Sequence, residues 1–144
     1  MYKKILVPLD GTPQAEEALP YAETLARSDD AEIIILRIPD VPADEFLARD
    51  AGLAFKIIHD EGEEAQRYVN KTLNTLVTEH VKVSGVTQAG PVPKTILAVA
   101  EETHADMIVM YTHGRTGIQR WLLGSVADEV IQHTHIPVML IHPN

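Results

Sequence analysis

The residues best suited to chemistry lie between Thr112 and Asp128. They form the run Thr112-His113-Gly114-Arg115-Thr116-Gly117 and, after Ile118-Gln119-Arg120-Trp121-Leu122-Leu123, the run Gly124-Ser125-Val126-Ala127-Asp128. Glycines at both ends of such a loop let backbone N–H groups approach an anion, and a helix starting near Ser125 adds unpaired donors and a partial positive charge. That arrangement suits phosphate. Arg115 and Arg120 would either close over it or stand solvated. His113 would contact phosphate, donate a proton or, as expected here, hydrogen-bond to backbone. Ser125, with Asp128 three residues on, reads as a helix N-cap, a role compatible with phosphate on the neighbouring N–H groups. Asp128 and Glu129 would repel a bare triphosphate unless Mg²⁺ or Mn²⁺ intervenes. Trp121, Leu122 and Leu123 read as an anchor to the core or to a partner. His133 and His135, two apart, are poorly spaced for a metal, so no metal site is expected from side chains alone.

A second segment, Pro8-Leu9-Asp10-Gly11-Thr12, places a carboxylate beside a glycine. Asp10 would either cap its own turn or face a ligand. The two segments share one crevice only if they follow neighbouring parallel strands, where winding reverses and ligands collect at the carboxyl edge. The rest of the chain is built for this. Short β-branched runs alternate with stretches of helical spacing, the pattern of βαβ units. Strands are expected at Lys4 to Leu9, Glu32 to Ile38, Val81 to Gln88, Asp106 to Tyr111 and Ile136 to His142. Those at Ile33-Ile34-Ile35-Leu36, Met107-Ile108-Val109-Met110 and Val138-Met139-Leu140-Ile141 are nearly all apolar, as in sheets covered on both faces.

Thr12 and Pro13 read as the start of a first helix with an apolar face of Ala15, Ala18, Leu19, Ala22, Leu25 and Ala26, kinked at Pro20. A second helix would bury Ala65, Tyr68, Val69, Thr72, Leu73, Leu76 and Val77. A third spans about Pro93 to Thr103, and a fourth runs from near Ser125 to before Pro137. Asp40 to Glu63 mixes charge with Phe46, Leu47, Leu53, Phe55, Ile57 and Ile58, and is expected to form a short extra helix over the sheet edge, a lid or partner surface. The fold class is thus α/β, a doubly wound five-stranded parallel sheet in one domain, 1–144.

Composition narrows the partners. A formal charge of −9, from 12 basic and 21 acidic residues, repels polyanions and argues against a nucleic-acid binder, while leaving room for a small anion. No apolar run approaches the roughly 20 residues of a membrane helix, and the N-terminus leads straight into strand-like sequence. With no cysteine, a cytoplasmic location is expected and no membrane partner.

Together the motifs resemble the universal stress proteins. The likeness rests on a glycine, nine residues, then Gly-Ser (Gly114, Gly124, Ser125), on Ile5-Leu6-Val7-Pro8-Leu9-Asp10-Gly11, on Ala105-Asp106-Met107-Ile108-Val109-Met110 and on Ile136-Pro137-Val138-Met139-Leu140-Ile141. It covers the chain except Asp40 to Glu63. The resemblance implies a Rossmann-like sheet of order 3-2-1-4-5 and a homodimer, here expected as an antiparallel pairing of the Val138 to Ile141 edge. It also implies bound ATP, or ADP or AMP, with Mg²⁺ or Mn²⁺ held through the phosphates. By position, Asp10 would bind ribose, backbone near Ile38 would meet adenine, and Gly114, Gly124, Ser125 and Val126 would hold phosphates. Pro8, Leu9, Met110, Tyr111, His113 and Arg115 would complete the cofactor-binding set. Tyr111 stands where the signature has a glycine, and its phenol would either crowd the ribose or swing out and cover it.

Two functions follow. One is an ATP-binding regulatory module of the stress response with at most slow hydrolysis, since no G-x-x-x-x-G-K-[ST] lysine and no obvious general base are present and no catalytic residue is assigned. The other is a dimeric interaction protein of the same fold whose nucleotide binding is weak or lost. A phosphoacceptor receiver domain would need an acidic cluster after the first strand and a lysine after the last; Asp10 stands alone and the chain ends His142-Pro143-Asn144. A flavodoxin-like FMN binder would need a hydroxyl-rich loop in place of Asp10-Gly11-Thr12-Pro13.

Overall fold

A computed structural model of the chain describes residues 1–40, 44–76, 80–112 and 124–142, the side chain of Phe46 apart. Five parallel strands, β1 (Lys4–Leu9), β2 (Glu32–Arg37), β3 (Lys82–Thr87), β4 (Met107–Tyr111) and β5 (Val138–Ile141), form one sheet in the order β3-β2-β1-β4-β5. In-register pairing runs from Lys4 opposite Glu32 to Leu9 opposite Arg37, so β1 and β2 end level at the carboxyl edge. β1 has the expected limits, and each of the other four strands is one to three residues shorter than the expected segment.

Period-two alternation sorts the strand residues onto two faces. Ile5, Val7, Ile33, Ile35, Met107 and Val109 pack under α1 (Leu19–Asp29) and α3 (Ala51–Leu76). Leu6, Ile34, Leu36, Ile108 and Met110 pack under α4 (Val92–Glu102) and α5 (Ser125–His133). Both faces are dry, which is why β2 and β4 read as unbroken apolar segments. Covering one face brings α3 very close to β3: a Cβ on Gly85 would lie 2.2 Å from a γ-carbon of Val69. Before the amino end of β1, the Asp29 carboxylate accepts the Tyr2 N–H at 2.7 Å and lies 3.3 Å from the terminal ammonium. These contacts hold its carboxyl below the ordinary range.

Three local expectations are corrected. Pro20 does not kink a helix begun at Thr12. Lacking an N–H, it sits in the first turn of α1, and the segment before it is a 3-10 turn, Ala15–Ala18, with Thr12 Oγ1 accepting the Ala15 N–H at 3.2 Å. Asp40 to Glu63 is not one short separate helix: it contains α2 (Asp44–Arg49) and the first half of α3, which runs unbroken for 26 residues. Asp50 starts α3 by accepting the Leu53 N–H at 3.0 Å, and neither Gly52 nor Gly62 interrupts it. Ser125 does not cap α5. Gly124, in extended backbone, is the N-cap without a side-chain bond, which makes Ser125 the first helical residue.

Candidate functional site

Winding reverses between β1 and β4, and at their carboxyl ends lies a cavity of about 510 Å³. Its walls come from the ends of three strands and from two helices. β1 supplies Pro8 and Leu9 with Asp10 beyond them, β2 supplies Arg37 with Ile38 and Asp40 following, and β4 supplies Met110 and Tyr111. Val92 and Ile96 of α4 line it too, as do Gly124, Ser125 and Val126 where α5 begins. Nine expected site residues, Pro8, Leu9, Asp10, Ile38, Met110, Tyr111, Gly124, Ser125 and Val126, therefore border one space. His113, Gly114 and Arg115, with Arg120 and the Trp121 anchor, lie outside the described residues.

Local bonding explains how each end is held. Asp10 Oδ1 accepts both the Thr12 N–H, at 2.9 Å, and the Thr12 hydroxyl, at 2.6 Å, so its carboxylate does cap the turn while it lines the cavity. Gly11 makes that turn possible with φ of +88°, backbone that glycine adopts without strain. At the other end, the buried Thr112 accepts the Gly124 N–H on its hydroxyl at 3.2 Å and donates its own N–H to the Ile141 carbonyl at 3.0 Å. Thr112 thereby fixes where α5 starts. The N–H groups of Ser125, Val126 and Ala127 have no acceptor within the helix, so the first turn presents donors and positive potential to the cavity. This donor set fits a phosphate.

Tyr111 packs with the apolar cluster that includes Ala15 and Ala18, so its ring is seated on the wall beside the 3-10 turn. Burial raises its pKa, as does the Glu17 carboxylate, so the phenol stays neutral.

Arg37 was not foreseen. It is only 9% exposed, its guanidinium lies 5.9 Å from the centre of the Tyr68 ring, and its Nη1 donates to the Ile38 carbonyl. Tyr68 is itself pushed up to about 12, first by burial and then by the Glu16 and Asp10 carboxylates against the opposing Arg37 charge. The signal was available: a cation inside the run Ile33-Ile34-Ile35-Leu36-Arg37-Ile38. Among the described residues, no group of three or more His, Cys, Asp or Glu is placed to hold a metal, and His133 Nδ1 lies 2.9 Å from the Glu129 carbonyl oxygen of its own helix.

The model of the universal stress protein family matches residues 1–142. The chain belongs to this family. It is 36% identical over 143 residues to universal stress protein MJ0531 of Methanocaldococcus jannaschii, covering 98% of this chain and 82% of that protein. The solved structure of MJ0577, a universal stress protein of the same organism, superposes with a TM-score of 0.84 at 28% identity over 100% of this chain and 98% of that one. A universal stress family protein from Arabidopsis thaliana, solved with AMP bound, shares the fold with a TM-score of 0.65 at 17% identity, covering 99% and 92% of the two chains. The sheet order β3-β2-β1-β4-β5 agrees with the order that the family resemblance implied. Among the described residues, no helix of this universal stress protein is long and apolar enough to cross a membrane.

Proposed function

We propose that this universal stress protein binds an adenine nucleotide, ATP or its ADP and AMP relatives, in the switch-point cavity, and acts in the cytoplasm as a homodimeric regulatory module of the stress response. The observation that carries this reading is that one cavity joins Asp10, the carboxyl end of β2 and the N-terminus of α5. Its volume of about 510 Å³ lies inside the range of small-molecule sites, roughly 300–1,000 Å³. In the proposed pose, phosphates meet the N–H groups of Gly114, Ser125 and Val126, with His113 and Arg115 beside them, and Gly124, whose own N–H is given to Thr112, borders them on the cavity wall. Ribose lies against Asp10, and the base reaches Ile38 between Pro8, Leu9, Met110 and Tyr111. Mg²⁺ or Mn²⁺ bound through the phosphates would offset Asp128. The AMP held by the Arabidopsis neighbour supports an adenine nucleotide in this fold. The two carboxylates that line the described cavity are both engaged, Asp10 by Thr12 and Asp40 beside Arg37, which favours a binding role with at most slow hydrolysis over a turnover enzyme.

Isothermal titration of the protein with ATP, ADP and AMP in the presence of Mg²⁺ tests the reading, and absence of heat at millimolar nucleotide would defeat it. The dimer is proposed through β5, which pairs with β4 on one side and is the last strand of the sheet. Sedimentation at micromolar concentration should give twice the chain mass. A second reading, an interaction protein with weak nucleotide binding, is favoured by the exposed apolar side chains of Leu53, Phe55 and Ile58 on α3, Phe55 being 75% exposed.

A further inference from the structure

We infer that the first half of α3 is a docking face for a basic amphipathic helix of a partner protein, an inference that rests on the interaction reading above and holds whether or not the cavity takes a nucleotide. Along α3, positions 65, 69, 72 and 76 follow one another in steps of four and three, and Ala65, Val69, Thr72 and Leu76 are all buried. The same spacing runs back through Gly62, Ile58, Phe55 and Ala51, so these residues prolong one stripe beyond the part of the helix that covers the sheet. There the stripe is open. Phe55 is 75% exposed and Ile58 40%. Gly62 adds a second observation. A Cβ on it would meet nothing within 4 Å, so packing inside the chain does not call for glycine, the poorest residue for a helix interior after proline. A gap beside two apolar side chains is the kind of hole into which a partner helix sets a large apolar knob.

Charge decides the occupant. Residues 44–67 carry seven carboxylates against three lysine or arginine cations. Glu61 and Glu63 adjoin Gly62 in sequence, and the helical turn sets them on opposite sides of the stripe. Arg67 is taken up by Glu63 and Glu64, at 3.9 and 3.0 Å, and His59 by Glu63 at 3.2 Å. These pairs occupy cations and leave the surplus negative. An anionic lipid surface is repelled by that surplus, and a second copy would lay the same carboxylates against themselves. A helix with an apolar seam and lysine or arginine on its flanks satisfies both the stripe and its rim. The open stripe from Ala51 to Gly62 measures about 17 Å, or about three turns of such a helix.

The probe is a fluorescent peptide of three heptads, with leucine at the two seam positions and lysine on both flanks, titrated with the full chain and read by anisotropy. A twin with glutamate in place of lysine is the control. The lysine peptide should saturate at one per chain and bind about tenfold or more tighter than its twin, with affinity falling as salt rises. Phe55→Ser keeps the net charge and should weaken that binding about tenfold. Because Phe55 lies off the cavity wall, the same variant should titrate ATP as the unmodified protein does, which keeps the nucleotide reading separate. Gly62→Ala fills the hole, so it should raise the melting temperature yet weaken the peptide about fivefold or more. Undiminished binding to either variant would reveal only diffuse attraction of lysines to an acidic protein, and would overturn the inference. Twin peptides bound alike would overturn the basic partner while leaving the interaction reading; binding of neither would remove both. Self-association, or adhesion to phosphatidylserine vesicles, that Phe55→Ser abolishes would assign the face to another occupant and overturn the inference as well.

Discussion

Replacing Gly85 by alanine tests how closely α3 lies on the sheet. An added Cβ would sit 2.2 Å from Val69 Cγ1 and 3.2 Å from Leu73 Cδ1. Non-bonded carbons settle near 3.5–4.0 Å, so the helix must retreat by roughly 1.5 Å or Val69 must leave its rotamer. Val69 is 1% exposed and β-branched in a helix, with essentially one χ1 well open to it. Overpacking of this kind costs about 1–3 kcal/mol, and relieving a strand glycine returns about 0.5–1 kcal/mol. The expected net loss is about 1–2 kcal/mol. In urea, with a slope of about 2 kcal/mol per molar, the midpoint should fall by about 0.5–1 M at unchanged slope. Val69→Ala alone should cost about 2 kcal/mol by emptying the same space. The double variant should be more stable than the sum of the two losses by about 1 kcal/mol. A Gly85→Ala midpoint equal to that of the unmodified protein, or strict additivity in the double variant, would refute the reasoning.

Three further outcomes are expected. Thr112→Val keeps the shape of a buried side chain but strands the Gly124 N–H, so thermal melts should show a loss of about 1–3 kcal/mol and titration should show weaker ATP binding. Unchanged melting and binding would mean that the α5 start is held by something else. Tyr111→Gly removes a ring from the cavity wall beside the 3-10 turn, and should lower stability while tightening ATP; weaker binding would show instead that the ring is a surface the nucleotide packs on. Asp29→Asn should change the acid limb. The native carboxyl is held below its unfolded value, so the unfolded state binds more protons near and below about pH 4. The stabilisation is present above that range and fades as pH falls through the native pKa; the asparagine variant should lose this slope in acid-unfolding curves, and an identical slope would contradict the assignment.

What the residues disclosed depended on how strongly burial shaped each segment. β2 and β4 are covered on both faces and could scarcely be written without apolar runs, so their existence was evident; their ends differ by one residue each, Ile38 lying beyond β2 and Asp106 before β4. A helix was expected in Asp40 to Glu63, but not its continuity with the helix that buries Ala65, because Lys56, His59, Asp60 and Glu61 around Leu53, Ala54 and Ile57 dilute the helical period. Asp50 looked like one more surface acid, although it starts the helix. The Gly124-Ser125 pair located the beginning of α5 but not which of the two capped it, since either residue type can occupy that place. Arg37 escaped notice because a charge at a strand end is ordinarily solvated. Only the arrangement of Tyr68, Gly11 and Ile38, drawn from three distant stretches of chain, makes its burial intelligible.

The length of α3 has a dynamic consequence. Its 26 residues measure about 39 Å, against about 20 Å for the six-residue β3 on which it lies. From Ala65 onward the buried positions are anchored to the sheet, while the opening turns rest on α2 and the Asp50 cap. One continuous helix should thus report two free energies in hydrogen exchange. Amides around Val69 and Thr72 should exchange only when the whole domain opens, and those around Phe55 and Ile58 through a cheaper opening confined to one end. A ligand at the carboxyl edge would then be felt as a change in protection along the second of these, with the first left to follow global stability.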